Sequence, residues 1–318
     1  MDVADHGAGT SRAGRHGFLV TPDCHQIPYR FWQAEKAVAN LLVAHGMSEH
    51  AGRYADFATW LTNRRINTWA IEHRGHGAHC PPDKRGHFAD HDGWEKVVAD
   101  LNRLKRAIRT QSPGVPLIAL GHSMGSYVAL SAVMAEAEGY AGLLLTGSGL
   151  NPRLLLWAGL LVSRLERWRL GPRARSRLMS ALSFGSFNRR FRPNRTPFDW
   201  LSRDEAQVER YLKDPLCGFH CTTQFWCDLL RGQLRLYRLG RGETIPSSLP
   251  VRLMSGTDDP VGRFGKGVEK LRRLLETAGV QRVELQLIEG ARHEVLNERD
   301  REAIWRDIAD WVHRVAGR

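Results

Sequence analysis

Residues 115–134 read VPLIALGHSMGSYVALSAVM and contain the pattern that decides the fold. The apolar stretch 115–120 predicts a buried strand, and the apolar residues after Gly125 recur at helical spacing. Between them, residues 121–125 form a Gly-x-Ser-x-Gly motif, which turns the chain sharply from a strand into a helix and exposes the serine hydroxyl. Glycines permit the unusual backbone of such a turn. The stretch therefore predicts that Ser123 is a nucleophile at the carboxyl end of a strand.

Strand and helix patterns alternate on both sides of this motif. The candidate strands are 17–21, 27–33, 38–45, 66–72, 115–120, 142–147, 251–255 and 283–289. Amphipathic helix patterns separate most of them, for example around Trp60, Leu101 and Ile308. This alternation is typical of a sheet covered by helices on both faces. The sequence therefore predicts an α/β fold with roughly eight, mostly parallel strands.

A long insertion between residues 151 and 243 interrupts the alternation, and we expect it to form a helical cap. Its helix patterns cover 154–170, 175–182, 203–213 and 221–230. We expect its tryptophans to pack in the core of the cap, with substrate contact as the alternative: Trp157, Trp168, Trp200 and Trp226. The predicted organisation is a flexible N-terminal tail (1–16), the first part of the core (17–150), the Arg-rich cap (151–243) and the second part of the core (244–318).

A serine nucleophile needs a base, and that base needs a carboxylate to orient it. Of the fourteen histidines, His293 follows the last candidate strand through a short loop, at the sheet edge where Ser123 is expected. Asp258 and Asp259 follow the strand 251–255 at the same edge, and the spacing alone leaves open which of them meets the imidazole. Ser, then Asp, then His is the chain order of α/β-hydrolases. We therefore predict a catalytic triad.

An acyl-transfer site also needs two backbone N–H groups to stabilise the oxyanion of the tetrahedral intermediate. The residue after the nucleophile supplies one in this fold, which indicates Met124. The loop after the third strand supplies the other, and here it begins His45-Gly46-Met47. We predict Met47 as the second donor, because Gly46 lets the backbone approach the site closely.

Several motifs together resemble the monoacylglycerol lipase and lysophospholipase-like branch of the serine α/β-hydrolases, the serine aminopeptidase S33 family, and bacterial members in particular. The matching segments are HGMSEH (45–50) with Arg53-Tyr54, EHRGHG (72–77), GHSMG (121–125), FDWLSRD (198–204), DPLCGF (214–219), GTDD (256–259) and EGARH (289–293). The resemblance covers nearly the whole chain from Gly17 onward. It implies the α/β-hydrolase fold with a cap, and a triad of Ser123, Asp259 and His293.

Composition and charge narrow the classes of partner that the protein is expected to bind. The 318 residues are 42% hydrophobic and 25% charged, which is a globular balance, and the net charge is +12. Residues 151–243 hold seventeen arginines and one lysine against eight acidic residues, so they carry most of the excess. A solvated surface is the simplest explanation, and an anionic membrane surface or an anionic substrate are the alternatives. Nucleic acid is not expected, because the arginines lie beside an apolar stretch outside any known binding motif. The sequence leaves the oligomeric state open.

Simple sequence patterns also predict the cellular location of the protein and whether it needs a cofactor. Residues 1–16 lack the apolar run of a secretory signal, and no apolar stretch reaches the length of a membrane span. Five cysteines without a leader indicate reduced thiols, so we expect a cytoplasmic protein. Cys217, His220, Cys221 and Cys227 do not have the spacing of a zinc site. We therefore expect no metal and no cofactor.

These features together predict a serine carboxylic-ester hydrolase that acts through an acyl-enzyme. The resemblance implies a monoacylglycerol- or lysophospholipid-like ester as substrate. An amidase, thioesterase or acyltransferase on the same fold is the first alternative, because the same triad serves all three reactions. The second alternative, a non-catalytic binder of anionic surfaces, is disfavoured because a binder would not need the complete triad.

Overall fold

A central eight-stranded sheet organises the computed structural model, which describes residues 14–317. Its strands are β1 (Arg15–Val20), β2 (Gln26–Trp32), β3 (Ala39–Ala44), β4 (Ile66–Ile71), β5 (Leu117–His122), β6 (Gly142–Thr146), β7 (Val251–Gly256) and β8 (Val283–Ile288). They lie in the order β1-β2-β4-β3-β5-β6-β7-β8. Within this order, all neighbouring pairs in the series β4-β3-β5-β6-β7-β8 are parallel. Strand β2 pairs antiparallel with both β1 and β4. The predicted mostly parallel sheet is confirmed.

Helices cover both faces of this sheet. In chain order they are α1 (Ala55–Thr62), α2 (Gly93–Gln111), α3 (Met124–Ala135), α4 (Arg153–Leu170), α5 (Arg177–Phe184), α6 (Glu205–Lys213), α7 (Thr223–Arg235), α8 (Lys266–Thr277) and α9 (Arg301–Val315). One core layer contains side chains of α2, α3 and α8, and the other contains those of α1 and α9. The strands supply both layers by alternation: Leu42 of β3 joins the first, and Leu41 and Val43 join the second.

The predicted N-terminal tail is wrong at its end. Arg15 and His16 belong to β1 and pair with Phe31 and Arg30 of β2. The prediction missed them because an edge strand is held by backbone hydrogen bonds and does not require apolar side chains. The rest of the predicted tail, residues 1–13, lies outside the described residues.

The chain between β6 and β7 contains α4, α5, α6 and α7, so all four helices predicted in the cap are present. α4 packs against α7. The expectation that the tryptophans pack in the cap core is wrong for Trp157 and Trp168, which are 48% and 86% exposed, whereas Trp200 and Trp226 are buried. No helix within residues 14–317 has the length and apolarity needed to cross a bilayer.

Candidate active site

Ser123 lies at the turn between β5 and α3, where the backbone is forced into an unusual conformation. Its φ of 51° and ψ of −119° are rare for a residue with a side chain. The turn is tight enough to require both flanking glycines. A Cβ on Gly125 would lie 2.0 Å from the carbonyl oxygen of Ala44, and one on Gly121 would lie 2.4 Å from that of Gly125. The Ser123 side chain is therefore held at the carboxyl edge of the sheet, where it is partly exposed.

His293 and Asp259 form a buried hydrogen-bonded pair at the same edge. His293 Nδ1 lies 3.0 Å from Asp259 Oδ1. A carboxylate only accepts, so Nδ1 carries the proton and Nε2 is left with a free lone pair. Asp259 also accepts hydrogen bonds from Ser255 Oγ at 3.0 Å and from the Val261 N–H at 2.8 Å. These donors fix the carboxylate, which in turn fixes the imidazole.

The electrostatics of this pair favour a charged Asp259. Burial raises the pKa of Asp259, but the charge and hydrogen bond of His293 outweigh it, so the pKa lies below its usual range. Burial also lowers the pKa of His293, but Asp259 outweighs it, so that the pKa is raised above 6.5. The carboxylate thus stabilises a protonated imidazole.

Asp258, the other aspartate that the sequence left open, points elsewhere. Its carboxylate pairs with Arg190 of the cap at 2.9 Å. Its N–H donates to Ala291 O at 3.0 Å, and this bond ties the loop after β7 to the loop that carries His293. The geometry therefore brings Asp259, and not Asp258, to the imidazole.

The loop after β3 brings Met47 to the same place. The N–H groups on either side of Met47 are already used, since Gly46 donates to Glu49 Oε1 and Ser48 donates to His76 Nε2 at 3.2 Å. Within residues 14–317 the Met47 N–H has no hydrogen-bond acceptor. Met124 is the first residue of α3, so its N–H has no partner inside the helix. Both groups are available to a developing oxyanion.

A buried network of charges that sequence reasoning missed connects two of these loops. Arg53 donates to Glu49 Oε2 at 2.7 Å, and to the two carboxylate oxygens of Glu294 at 2.6 and 2.8 Å. Glu49 belongs to the loop of Met47, and Glu294 follows His293. The spacing of Glu49 and Arg53, four residues apart, could have indicated the first contact. No local pattern indicates the second, because its partners are 241 positions apart.

A cavity of about 1030 Å³ lies between the sheet edge and the cap, and Ser123, His293, Met47 and Met124 all line it. Much of its wall is apolar and comes from the cap: Leu156, Val162, Met179, Phe184, Trp200 and Trp226. Trp200 also contacts His293, since the backbone N–H of His293 donates to Trp200 O at 3.3 Å and the two rings lie 5.1 Å apart. The cap thus forms an enclosure beside the serine that suits an apolar group.

Three of the four cysteines and histidines that were candidate metal ligands in the sequence have other partners. Cys221 contacts Ser48, Cys227 contacts Ser163, and His220 hydrogen bonds to Ser180. His50, Asp214 and Cys217 do lie close together. However, His50 Nε2 donates to Asp214 at 2.8 Å while its Nδ1 accepts from the Gly52 N–H at 3.1 Å. Both ring nitrogens of His50 are therefore engaged within the protein.

Comparison with known proteins places the chain in a family. The monoglyceride lipase of Rattus norvegicus is 26% identical over 306 residues, which cover 94% of this chain and 90% of that protein. The monoacylglycerol lipase of Mycolicibacterium smegmatis is 25% identical and covers 90% of this chain and 92% of its own. A carboxyl esterase from Bacillus coagulans, solved in complex with glycerol, has a similar fold, with a TM-score of 0.86, 23% identity and coverage of 95% of this chain and 98% of that one. The serine aminopeptidase S33 family matches residues 35–300. The chain therefore belongs to that family and is a hydrolase with the α/β-hydrolase fold.

Proposed function

We propose that the protein is a serine carboxylic-ester hydrolase that acts through an acyl-enzyme. The observation that carries the proposal is the buried hydrogen bond between Asp259 and His293, on loops that line the same cavity as Ser123. This pairing leaves the lone pair of His293 Nε2 free for a proton. A pairing of this kind, beside a serine in a nucleophile turn, is the arrangement that acyl transfer requires.

In the proposed reaction, Ser123 Oγ attacks the ester carbonyl carbon while its proton passes to His293 Nε2. The carbonyl oxygen becomes an oxyanion, which accepts hydrogen bonds from the Met47 and Met124 N–H groups. When the intermediate collapses, the bond to the alcohol oxygen breaks and the alcohol takes the proton from His293. Asp259 stabilises the imidazolium during both steps.

Water completes the cycle by the same chemistry. His293 takes a proton from the water, whose oxygen attacks the acyl carbon, and a second oxyanion forms at Met47 and Met124. Collapse of this intermediate returns the proton to Ser123 Oγ and releases the carboxylic acid. One ester and one water are consumed for each acid and alcohol formed.

We propose a monoacylglycerol- or lysophospholipid-like ester as the substrate. The names of the relatives, monoglyceride and monoacylglycerol lipases, support an acyl ester. The largely apolar cavity wall beside Ser123 also supports it, because an acyl chain buried there would leave water. Such a substrate would be met in the cytoplasm, where the sequence predicts that the enzyme acts.

An anionic membrane surface is the proposed partner of the cap. Exposed apolar side chains of α4 recur at helical spacing: Leu154, Trp157, Leu161, Leu165 and Trp168. Exposed arginines accompany them: Arg164, Arg167 and Arg169. An apolar stripe with flanking cations suits the interface of an anionic bilayer. Leu155 of α4 and Leu182 of α5 are exposed and also line the cavity, so docking would bring the opening of the cavity to the lipid.

A substrate panel tests the proposed reaction. One acyl chain, octanoyl, is offered as a glycerol ester, a thioester and an amide, with and without an added alcohol acceptor. We expect the ester to be hydrolysed with the highest kcat/KM, and Ser123→Ala to abolish this activity. Ser183→Ala, which changes another serine of the cavity wall, is the matched control and should leave the activity in place. Faster cleavage of the thioester or amide, or transfer to the alcohol, would support the alternatives instead.

A further inference from the structure

The charges that line the cavity are unevenly neutralised. Its two glutamates, Glu49 and Glu294, are both paired with Arg53. Arg177 and Arg263 also line the cavity, and no carboxylate of residues 14–317 lies within ion-pair distance of either; Arg177 is exposed to solvent, whereas Arg263 is partly buried. The cavity therefore holds a cationic side chain that the described part of the protein does not neutralise.

Arg263 belongs to the loop that carries Asp259, but both aspartates of that loop are engaged elsewhere. Asp258 pairs with Arg190 at 2.9 Å, and Asp259 pairs with His293. The Nη1 atom of Arg263 is buried from solvent and has no hydrogen-bond partner in the described structure. A buried guanidinium N–H without an acceptor is unfavourable unless a ligand or water supplies one. An oxyanion on a bound molecule would satisfy it best.

The backbone at Arg263 forms a closed turn with an unusual conformation. Arg263 has a φ of +54° and Phe264 a φ of +55°, both in the left-handed region that favours glycine. Hydrogen bonds from Arg263 N to Pro260 O at 3.1 Å and from Phe264 N to Asp259 O at 2.8 Å close the turn. A strained turn that carries a cation to the wall of a cavity is a feature expected of a binding site.

The cavity wall also offers uncharged polar groups. Asn151 and Gln233 line the same cavity, and Asn151 Nδ2 donates to Gln233 Oε1 at 2.9 Å. The Tyr237 hydroxyl donates to Asn151 O at 2.6 Å. These groups can bind a polar headgroup without repelling an anion. The apolar side chains of the cap are left for the acyl chain.

We propose that Arg263 is a specificity-determining residue that binds an oxyanion, a phosphate or a carboxylate, on the alcohol part of the ester substrate. This inference rests on the proposed ester hydrolase activity. It predicts a preference for esters of anionic alcohols over esters of neutral ones, which a wall of neutral residues would not produce. Arg263 does not take part in the chemical steps, so its loss should leave neutral esters as substrates.

A matched pair of substrates tests this proposal: 1-octanoylglycerol and 1-octanoylglycerol 3-phosphate, both below their aggregation concentrations so that the charge of the cap surface does not contribute. We expect Arg263→Gln to lower kcat/KM for the phosphate ester about 10- to 100-fold, as expected for loss of a charge-assisted hydrogen bond, and to change the neutral ester less than about twofold. Arg263→Lys should retain part of the preference. Lys266→Gln removes an exposed cation at the first position of α8, three residues after Arg263, and should leave both values unchanged.

The ratio of the two kcat/KM values decides the outcome. An equal loss on both esters would mean that Arg263 only supports the fold of its loop, and no loss on either ester would mean that it binds no anion; both results leave the ratio unchanged and overturn the proposal. Altered inhibition by octanoate with an unchanged ratio would place the fatty-acid product at Arg263 and would also overturn it. If the wild-type protein cleaves neither ester, the proposed function itself fails, which is a different result from a changed ratio.

Discussion

Arg53 donates two hydrogen bonds, of 2.6 and 2.8 Å, to the carboxylate of Glu294, the residue that follows the proposed base His293. Through its third contact, with Glu49, the same guanidinium holds the loop that contains Met47. The three charges are buried together, and the charge of Arg53 overcomes the effect of burial, which alone would raise the pKa of both glutamates. Arg53 thus fixes the distance between the loop of the base and the loop of the proposed oxyanion donor.

This network predicts a large loss of stability when its cation is removed. Arg53→Met leaves two carboxylates buried without a cationic partner, and we expect the free energy of unfolding to fall by roughly 3–5 kcal/mol. Urea unfolding measures the change. Arg210→Met, which breaks an exposed pair with Asp56, is the control and should cost less than about 1 kcal/mol. The triple variant Glu49→Gln, Arg53→Met, Glu294→Gln should recover much of the loss. Equal stability of Arg53→Met and Arg210→Met would contradict the role of the network.

The pH dependence of the reaction should report His293. The base must be neutral to accept a proton, and its pKa is raised above 6.5 by Asp259. We therefore expect kcat/KM to rise with pH through a value above 6.5 and then to level off. In Asp259→Asn, burial remains but the negative charge is lost, so the rise should move below 6.5 and the plateau should fall by roughly 10⁴.

Asp258→Asn is the matched control for this measurement, because it changes the neighbouring carboxylate, which pairs with Arg190. We expect its profile to keep the wild-type midpoint and nearly the wild-type plateau. A shift of similar size in both variants would mean that Asp259 is not the partner of the base.

A buried carboxylate within the cap should make the free energy of unfolding depend on pH. Asp228 of α7 is buried, and burial raises its pKa to about 7 although Gln224 donates to it. Its pKa in the unfolded chain is about 3.9, so the folded protein holds the proton more tightly. The stabilisation that this protonated carboxyl group contributes is then fully present below about pH 4 and is lost as the pH rises through about 7. Asp228→Asn should therefore raise Tm relative to wild type more at pH 8 than at pH 5. Asp310→Asn, on an exposed face of α9, should show no such difference, and a constant difference for Asp228→Asn would rule out this account.

The exposed stripe of α4 should bind anionic vesicles. We expect the protein to sediment with phosphatidylcholine vesicles that contain phosphatidylglycerol, and to bind less tightly at high salt, because the arginines contribute through charge. The double variant Leu161→Ala, Trp168→Ala should weaken binding about tenfold or more, since both side chains would lose apolar burial. Val20→Ala, an exposed apolar residue of β1, serves as the control. Equal binding of the protein to the vesicles at low and high salt would show that the arginines do not contribute through their charge.

Much of the fold was predictable because the signals are local. The apolar runs of the buried strands and the glycines around Ser123 need no knowledge of distant residues, and all eight strands and the four cap helices overlap the ranges that the sequence predicts. The strand that leads into the nucleophile turn starts at Leu117, two residues later than predicted. The preceding Pro116 has no N–H group to donate to a neighbouring strand.

Other features depend on contacts that no local pattern specifies. The positions of Asp258 and Asp259 differ by one residue, and only the turn after β7 decides which carboxylate reaches His293. The tryptophans of α4 are expected in the core because they are large and apolar, yet Trp168 faces the solvent. The pairing of Arg53 with Glu294 joins segments that meet only in the folded sheet.

The most direct test of the central claim is the site of covalent labelling. The wild-type protein is treated with a fluorophosphonate probe, digested and analysed by peptide mass spectrometry, with Ser123→Ala as the parallel sample. We expect one stoichiometric adduct on the peptide that contains Ser123, and its complete loss in the variant. Hydrolysis of esters by a wild-type protein whose adduct lies on another residue, or which forms none, would contradict the account.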